Sequence, residues 1–201
     1  MKKNITSYVM PTYGKKSLLF TKGKGCYLYD DKNNKYLDFA SGIAVNSLGH
    51  CHPRLVKALN SQSKQLWHVS NLYLIKKKEK FAKLLCKNSF ADKVFFTNSG
   101  AESIECGIKI IRSYHSHYKT GKNEIITFDG AFHGRTLGAL SAQKNKKYSK
   151  GFGPLIPGFK KVEFNNKNKL RSAINKKTAG IIVEPVQGEG GIRPADLSFL
   201  K

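Results

Sequence analysis

Three short stretches carry residue types that could do chemistry. In Val94-Phe95-Phe96-Thr97-Asn98-Ser99-Gly100-Ala101-Glu102 an apolar run gives way to a small-residue turn and then a helix start. Ser99 and Glu102 have the S-x-x-E spacing of a capping box, whose side chains each take a backbone N–H at the helix entrance. Gly100 and Ala101 leave first-turn N–H groups uncovered. Those donors, with the positive helix end, suit an anion, most naturally a phosphate. The stretch is neither a G-x-x-x-x-G-K-[ST] loop nor a G-x-G-x-x-G turn. By itself it also fits an ordinary capped helix that binds nothing.

The second stretch, Asp129-Gly130-Ala131-Phe132-His133-Gly134-Arg135-Thr136, follows directly on an apolar run that reads as a strand. It therefore stands at a strand's carboxyl end, where open α/β sheets bind ligands. Phe132 offers a flat ring for stacking, and Arg135 a two-pronged guanidinium for a carboxylate. The plainer alternatives are a core aromatic, a surface ion pair and, for Asp129, a helix cap. The third stretch, Val183-Glu184-Pro185-Val186-Gln187-Gly188-Glu189-Gly190-Gly191, also leaves a strand at its carboxyl end. Glu184 and Glu189 could face a cationic substrate there, or stand solvated on a flexible loop. Leu48-Gly49-His50-Cys51-His52-Pro53 invites a zinc reading, but adjacent residues cannot all face one ion and no second ligand cluster has suitable spacing. A structural turn before a helix is expected instead, and no metal. His115 and His117 point different ways on a helix and form no metal pair.

The elements that must position these residues fall into two kinds. Ser17–Thr21, Cys26–Tyr29 and Tyr36–Phe39, parted by Gly23-Lys24-Gly25 and by Asp31–Asn34, read as a small antiparallel unit. From Pro53 onward helices and strands alternate. Helices are expected over Pro53–Leu66, Ile75–Cys86, Ser99–His117 and Lys169–Lys176. Strands are expected over Lys93–Thr97, Glu124–Phe128, Lys161–Phe164 and Gly180–Glu184. That alternation implies an α/β fold with a mostly parallel sheet and flanking helices. A last helix begins near Asp196 and stops at Lys201 after about one turn, too short to hold itself together. The expectation is a truncated chain, cut in mid-domain.

Length and composition bound the rest. The chain has 201 residues, 36 Lys plus Arg against 13 Asp plus Glu, and a net charge of +23. Hydrophobic residues make up 40%, enough for a core. Only five of the basic residues are Arg, and the Lys runs are spread along the whole chain. A nucleic-acid protein more often gathers charge on one face with Arg and aromatics among it, so no nucleic-acid partner is expected. No apolar run reaches the ~20 residues of a membrane span, and Met1–Lys16 lacks the apolar core of a secretory signal. Four cysteines without a C-x-x-C pair read as reduced thiols, which points to the cytoplasm.

Taken in order, the pieces are specific. They are Asp38-Phe39-Ala40-Ser41-Gly42-Ile43-Ala44-Val45-Asn46, Leu48-Gly49-His50 with His52-Pro53, Asn98–Glu102, Ala131–Arg135, Gly151-Phe152-Gly153-Pro154, and Val183–Gly191. From about Tyr13 to Leu200 the chain resembles the N-terminal half of a class III, fold-type-I, pyridoxal-phosphate-dependent aminotransferase. Within that family it is nearest to the acetylornithine, ornithine and succinylornithine branch.

The resemblance implies pyridoxal 5'-phosphate as cofactor, cradled at Ser99, Gly100 and Ala101 and stacked on by Phe132. It implies Arg135 as the clamp for a substrate carboxylate, with Glu184 and Glu189 as acidic residues lining the site. Glu189 is similar to the one that occupies a second Arg until a dicarboxylic substrate arrives. The implied reaction moves the amino group of N-acetylornithine, or a related ω-amine, to 2-oxoglutarate. The implied setting is arginine biosynthesis in a cytoplasmic homodimer, with amino-acid and 2-oxo-acid substrates. Residues 1–45 would belong to a small domain or dimer arm, and 46–201 to the first half of the cofactor domain. The family's Schiff-base lysine and pyridine-nitrogen aspartate have no matching position, so no catalytic residue is assigned and the chain alone is expected to be inactive. Ornithine, succinylornithine or 4-aminobutyrate as amino donor, and a shortened non-catalytic binding protein, are the alternatives.

Overall fold

Aromatic residues separated by turn formers build the first sheet. Phe20–Lys24 (β1), Tyr27–Asp30 (β2) and Lys35–Leu37 (β3) pair antiparallel in the order β1-β2-β3. In this computed structural model, residues 8–14, 17–143 and 145–201 are described. The Lys2-Lys3 and Lys15-Lys16 runs lie outside them, as does most of the segment read against a secretory signal. The β1–β2 turn falls at Gly25-Cys26, between the paired Lys24 and Tyr27, so β1 takes in Gly23 and Lys24 of the expected Gly23-Lys24-Gly25 turn. Gly25, at φ 58°, supplies the positive φ that a two-residue hairpin turn takes at its first central position.

Two carboxylates organise this region. The Asp30 carboxylate accepts from the backbone N–H groups of Lys32 and Asn34, the Asn34 amide and the Tyr36 hydroxyl at 2.8–3.0 Å. Those donors, the Asn34 amide foremost, hold its pKa below the ordinary value against the opposing effect of burial. Asp38 accepts from the N–H groups of Ala40 and Ser41 and meets His50 Nε2 at 2.7 Å. The next turn, Ser41–Ala44 (α1), is left-handed, with φ between 49° and 65° even at the β-branched Ile43. Backbone bonds in both directions between Gly25 and His50 tie the His50 segment to the hairpin.

Helices follow at Pro53–Ser63 (α2) and Lys76–Lys87 (α3), neither with a buried residue. Pro53 opens α2, where a missing N–H costs nothing. The chain divides into two compact units, Met1–Phe81 and Ala82–Lys201. In the first, Asp30 is the one buried residue among those described.

The second unit holds the core. Its elements are Gly100–His117 (α4), Glu124–Phe128 (β4), Leu137–Gln143 (α5), Lys146–Ser149 (α6), Phe159–Val162 (β5), Lys167–Ala173 (α7), Thr178–Ile181 (β6), Val186–Gln187 (β7), Arg193–Pro194 (β8) and Leu197–Leu200 (α8). β4 lies between β5 and β6, parallel to both, as expected of an α/β sheet. Its side chains alternate between faces. Ile125 packs with Ile108 of α4, Ala142 of α5 and Phe159. Ile126 and Phe128 pack on the other face with Val162, Phe164, Ala173 and Phe199. Thr127, fully buried, spends its hydroxyl on the Ala142 carbonyl at 2.6 Å. Burying a side chain such as Ile or Phe contributes roughly 1.5–3 kcal/mol, so these two clusters hold the three layers together.

The structure corrects some expected elements. Lys93–Thr97 forms no ladder among the described residues, because neither edge of the β5-β4-β6 sheet pairs with it. The expected strands Lys161–Phe164 and Gly180–Glu184 both begin two residues earlier than read from sequence, at Phe159 and Thr178. Phe164 lies beyond its ladder yet stays in the core. Asp196 precedes α8 without a side-chain cap bond; its N–H instead donates to Asn165 Oδ1 at 3.0 Å.

Candidate active site

The chain leaves β4, crosses through α5 and α6 to β5 on one side, then passes through α7 to β6 on the other. Where connections diverge in this way, the loops at the carboxyl ends of the neighbouring strands border a crevice. Here those loops are 129–136 after β4 and 182–192 after β6. Phe132 N–H, in the first, donates to Glu184 Oε1, in the second, at 2.9 Å. The Gly188 N–H also faces the Glu184 carboxyl and favours its charged form. Burial pushes the Glu184 pKa above the ordinary glutamate value, while the two N–H groups oppose that shift.

The entrance of α4 forms a second wall. Ser99 caps the helix, its Oγ accepting from Glu102 N at 3.2 Å. Glu102 reaches back to the N–H of Asn98 at 2.6 Å, one residue before the usual capping-box partner. Thr97 Oγ1 lies 2.6 Å from Ser103 Oγ and fixes the turn further. The N–H groups of Gly100 and Ala101 keep no acceptor among the described residues. A Cβ added at Gly100 would meet nothing within 4 Å, so no side chain crowds this first-turn glycine. An 18-residue helix with free N–H groups at its N-terminus fits a phosphate.

Gly134 brings the two walls together. It has φ 125°, and a Cβ there would stand 2.8 Å from Ala101 Cβ and 3.3 Å from Ala139 Cβ. Only a glycine lets the 129–136 loop cross so close to the α4 entrance. Thr136 donates to Glu105 of α4 at 2.5 Å and also caps α5, accepting from Ala139 N. His133 is buried, which pushes its pKa down, and its N–H donates to Gln143 Oε1 at 2.9 Å.

Ser99, Gly100, Ala101, Phe132, Arg135 and Glu184 therefore all stand on elements that meet at this crevice. The Arg135 guanidinium carbon sits 3.9 Å from the Tyr148 ring centre and 5.3 Å from that of Phe132. The Phe132 and Tyr148 rings meet edge to face with centres 6.2 Å apart. Glu184 and Glu189 are not used alike. Glu184 is turned onto backbone N–H groups, whereas Glu189 is exposed in the turn between the paired β7 and β8. Asp129 caps no helix; it pairs with Lys161 at 3.0 Å.

Outside the crevice, His50 serves Asp38, and His115 binds Thr120 Oγ1 and the Ala179 carbonyl, each at 2.8 Å. No group of three or more His, Cys, Asp or Glu among the described residues could hold a metal ion. No helix among them is long and apolar enough to cross a membrane.

The profile of the family described as Aminotransferase class-III matches residues 8–201. The chain belongs to the class-III aminotransferase family. It is 51% identical over 193 residues to an acetylornithine aminotransferase of Agrobacterium fabrum, covering 94% of this chain and 48% of that protein. An acetylornithine aminotransferase of Clostridium acetobutylicum is 51% identical over 196 residues, covering 97% of this chain and 51% of that one. The chain thus spans about half the length of the curated relatives it matches. Among solved structures, an ornithine aminotransferase from Toxoplasma gondii superposes with a TM-score of 0.89 at 30% identity, covering 96% of this chain and 47% of that one. An N-acetylornithine aminotransferase from Stenotrophomonas maltophilia gives 0.77 at 35%, covering 92% and 46%. These likenesses establish a fold-type-I, α/β architecture for this class-III aminotransferase chain.

Sequence reasoning missed the supports of the site. Tyr148 sits in a Lys-rich stretch where nothing local marks it. Gln143 and Gln187 are ordinary amides whose burial shows only in the fold. Gln187 Nε2 donates to the Asp129 carbonyl at 2.8 Å and so holds the β7–β8 turn to the 129–136 loop.

Proposed function

We propose that the protein to which this chain belongs transfers the amino group of N-acetylornithine to 2-oxoglutarate, giving glutamate, as a cytoplasmic homodimer in arginine biosynthesis. Class-III aminotransferases depend on pyridoxal 5'-phosphate, and bound at this crevice it would supply the electron sink that lets an amino group move between carbon skeletons. The observation that carries the reading is the junction at Gly134, which packs the Phe132–Arg135 loop against the free N–H groups of α4.

In this reading the N–H groups of Gly100 and Ala101 and the helix dipole would bind the cofactor's phosphate, with Ser99 shaping the turn. The Phe132 ring would offer its face to the pyridine. Arg135 binds a substrate carboxylate through paired N–H donors, which fixes the orientation of the substrate chain. Glu184 holds the Phe132 backbone, and exposed Glu189 stands where it can meet a cation at the mouth. The acetylornithine aminotransferases matched at 51% identity favour N-acetylornithine over ornithine, succinylornithine or 4-aminobutyrate as amino donor.

The test is glutamate formation by the full-length protein from 2-oxoglutarate and each of the four amines. N-Acetylornithine is expected to give the highest kcat/KM, with turnover that requires pyridoxal phosphate. Preference for another amine would move the substrate assignment. Absence of turnover with all four would overturn the reading.

A further inference from the structure

An arginine that must present its N–H edge to a carboxylate needs something to hold its long side chain, and the usual anchor is an acid. Arg135 has none: among the described residues no hydrogen bond or ion pair reaches it. It rests on aromatic faces instead, with its guanidinium carbon 3.9 Å from the Tyr148 ring centre and 5.3 Å from that of Phe132. We infer that Tyr148 is a positioning residue for Arg135, its ring holding the guanidinium plane so that the N–H edge stays free for the substrate's carboxylate. This rests on the reading of Arg135 as a carboxylate clamp and adds to it the residue that sets the clamp's aim.

The chemistry favours a ring over an acid. A carboxylate anchor would use the same N–H donors that the substrate needs, and would have to be displaced at each binding event. A π-face attracts the cation without consuming a donor. Tyr148 is itself fixed from the far side. It lies on α6, whose N-cap Asn145 accepts from Lys147 N at 3.0 Å. The chain after α6 is pinned to α5 where Ile156 N–H donates to Ser141 Oγ at 2.9 Å. The edge-to-face contact with Phe132 completes a corner in which both rings bear on one guanidinium. The hydroxyl of Tyr148 makes no hydrogen bond among the described residues, so the ring, not the phenol, carries the role.

The experiment uses the full-length holoenzyme and compares Tyr148→Leu, Tyr148→Met, Tyr148→Phe and Arg135→Ala. KM for the amino donor and for 2-oxoglutarate is measured apart from kcat. Losing the π-face in Tyr148→Leu or Tyr148→Met is expected to raise KM about tenfold, with a much smaller fall in kcat. Tyr148→Phe, which keeps the face, is expected to restore KM to within about twofold. Arg135→Ala is expected to raise KM further.

If Arg135→Ala raises KM while Tyr148→Leu and Tyr148→Met leave it unchanged, the positioning role is wrong and the clamp stands. If Arg135→Ala leaves KM unchanged, the clamp itself is wrong and the inference falls with it. Equal damage in Tyr148→Phe and Tyr148→Leu would assign the effect to the hydroxyl and overturn the inference as well.

Discussion

Glu184 sits half-buried at the junction of two loops with backbone N–H groups as its partners. Its pKa is raised in the fold, by burial first, against the opposing N–H groups of Phe132 and Gly188. The sign follows from linkage. A raised folded value means that this residue's contribution to stability is fully present below the ordinary glutamate pKa and is lost as pH rises through the folded one. Glu184→Gln keeps an acceptor oxygen and removes the charge. In thermal denaturation of the full-length protein, the melting temperature of the variant relative to the parent is expected to rise as pH is raised through and above the ordinary glutamate range. A difference that stays flat across that range would contradict the account. At this scale the sequence is legible where a residue's chemistry is unusual for its neighbourhood. Phe132 and Arg135 stand out in a glycine-rich turn, and Ser99 and Glu102 announce a helix start. Tyr148 does not stand out, because nothing local distinguishes a tyrosine that supports an arginine from one that covers a surface.

Helix α4 shows how an element places a ligand site. Its length supplies the dipole, and Ser99 spends its own oxygen on Glu102 N rather than on Gly100 or Ala101. Ser99→Ala is expected to cost about 1 kcal/mol in urea denaturation, and Ser99→Gly a few tenths. A loss far below that in Ser99→Ala would mean that the Glu102–Asn98 contact alone secures the helix entrance. Elements were legible in proportion to how strongly one face differs from the other or one composition fills the segment. β4 has the bounds its apolar, β-branched run implies, Glu124–Phe128. α5 was missed because Gly138 through Gln143 are all buried, which erases the polar stripe that marks a helix. β7 and β8, two residues each, are too short to show alternation. Lys93–Thr97 has the composition of a strand, but pairing is a property of two segments and composition reports only one.

The whole molecule distributes its burial unevenly. Every buried apolar residue among those described lies between Ile108 and Phe199. The first unit instead exposes Phe39 at 91%, Trp67 at 85% and Leu72 at 87%. α2 likewise turns Leu55 and Leu59 outward, although they stand at helical spacing. Such surface drives association when nothing covers it. Expressed alone, the 201-residue chain is expected to elute as a broad, associated species. Mixed with pyridoxal phosphate and borohydride, it is expected to show no single labelled lysine. A monodisperse product with cooperative melting, or stoichiometric labelling of one lysine, would contradict this.

The sheet in the second unit has two unlike margins. β5 carries Lys160 and Lys161, the first donating to the Ala173 carbonyl and the second paired with Asp129. Lysines on an outer strand discourage another strand from docking there. β6 offers Thr178, Ala179, Gly180 and Ile181, with no charge among them. The ladder is therefore directional, like a zipper with a stop sewn into one end: it can accept another strand beside β6 and resists one beside β5.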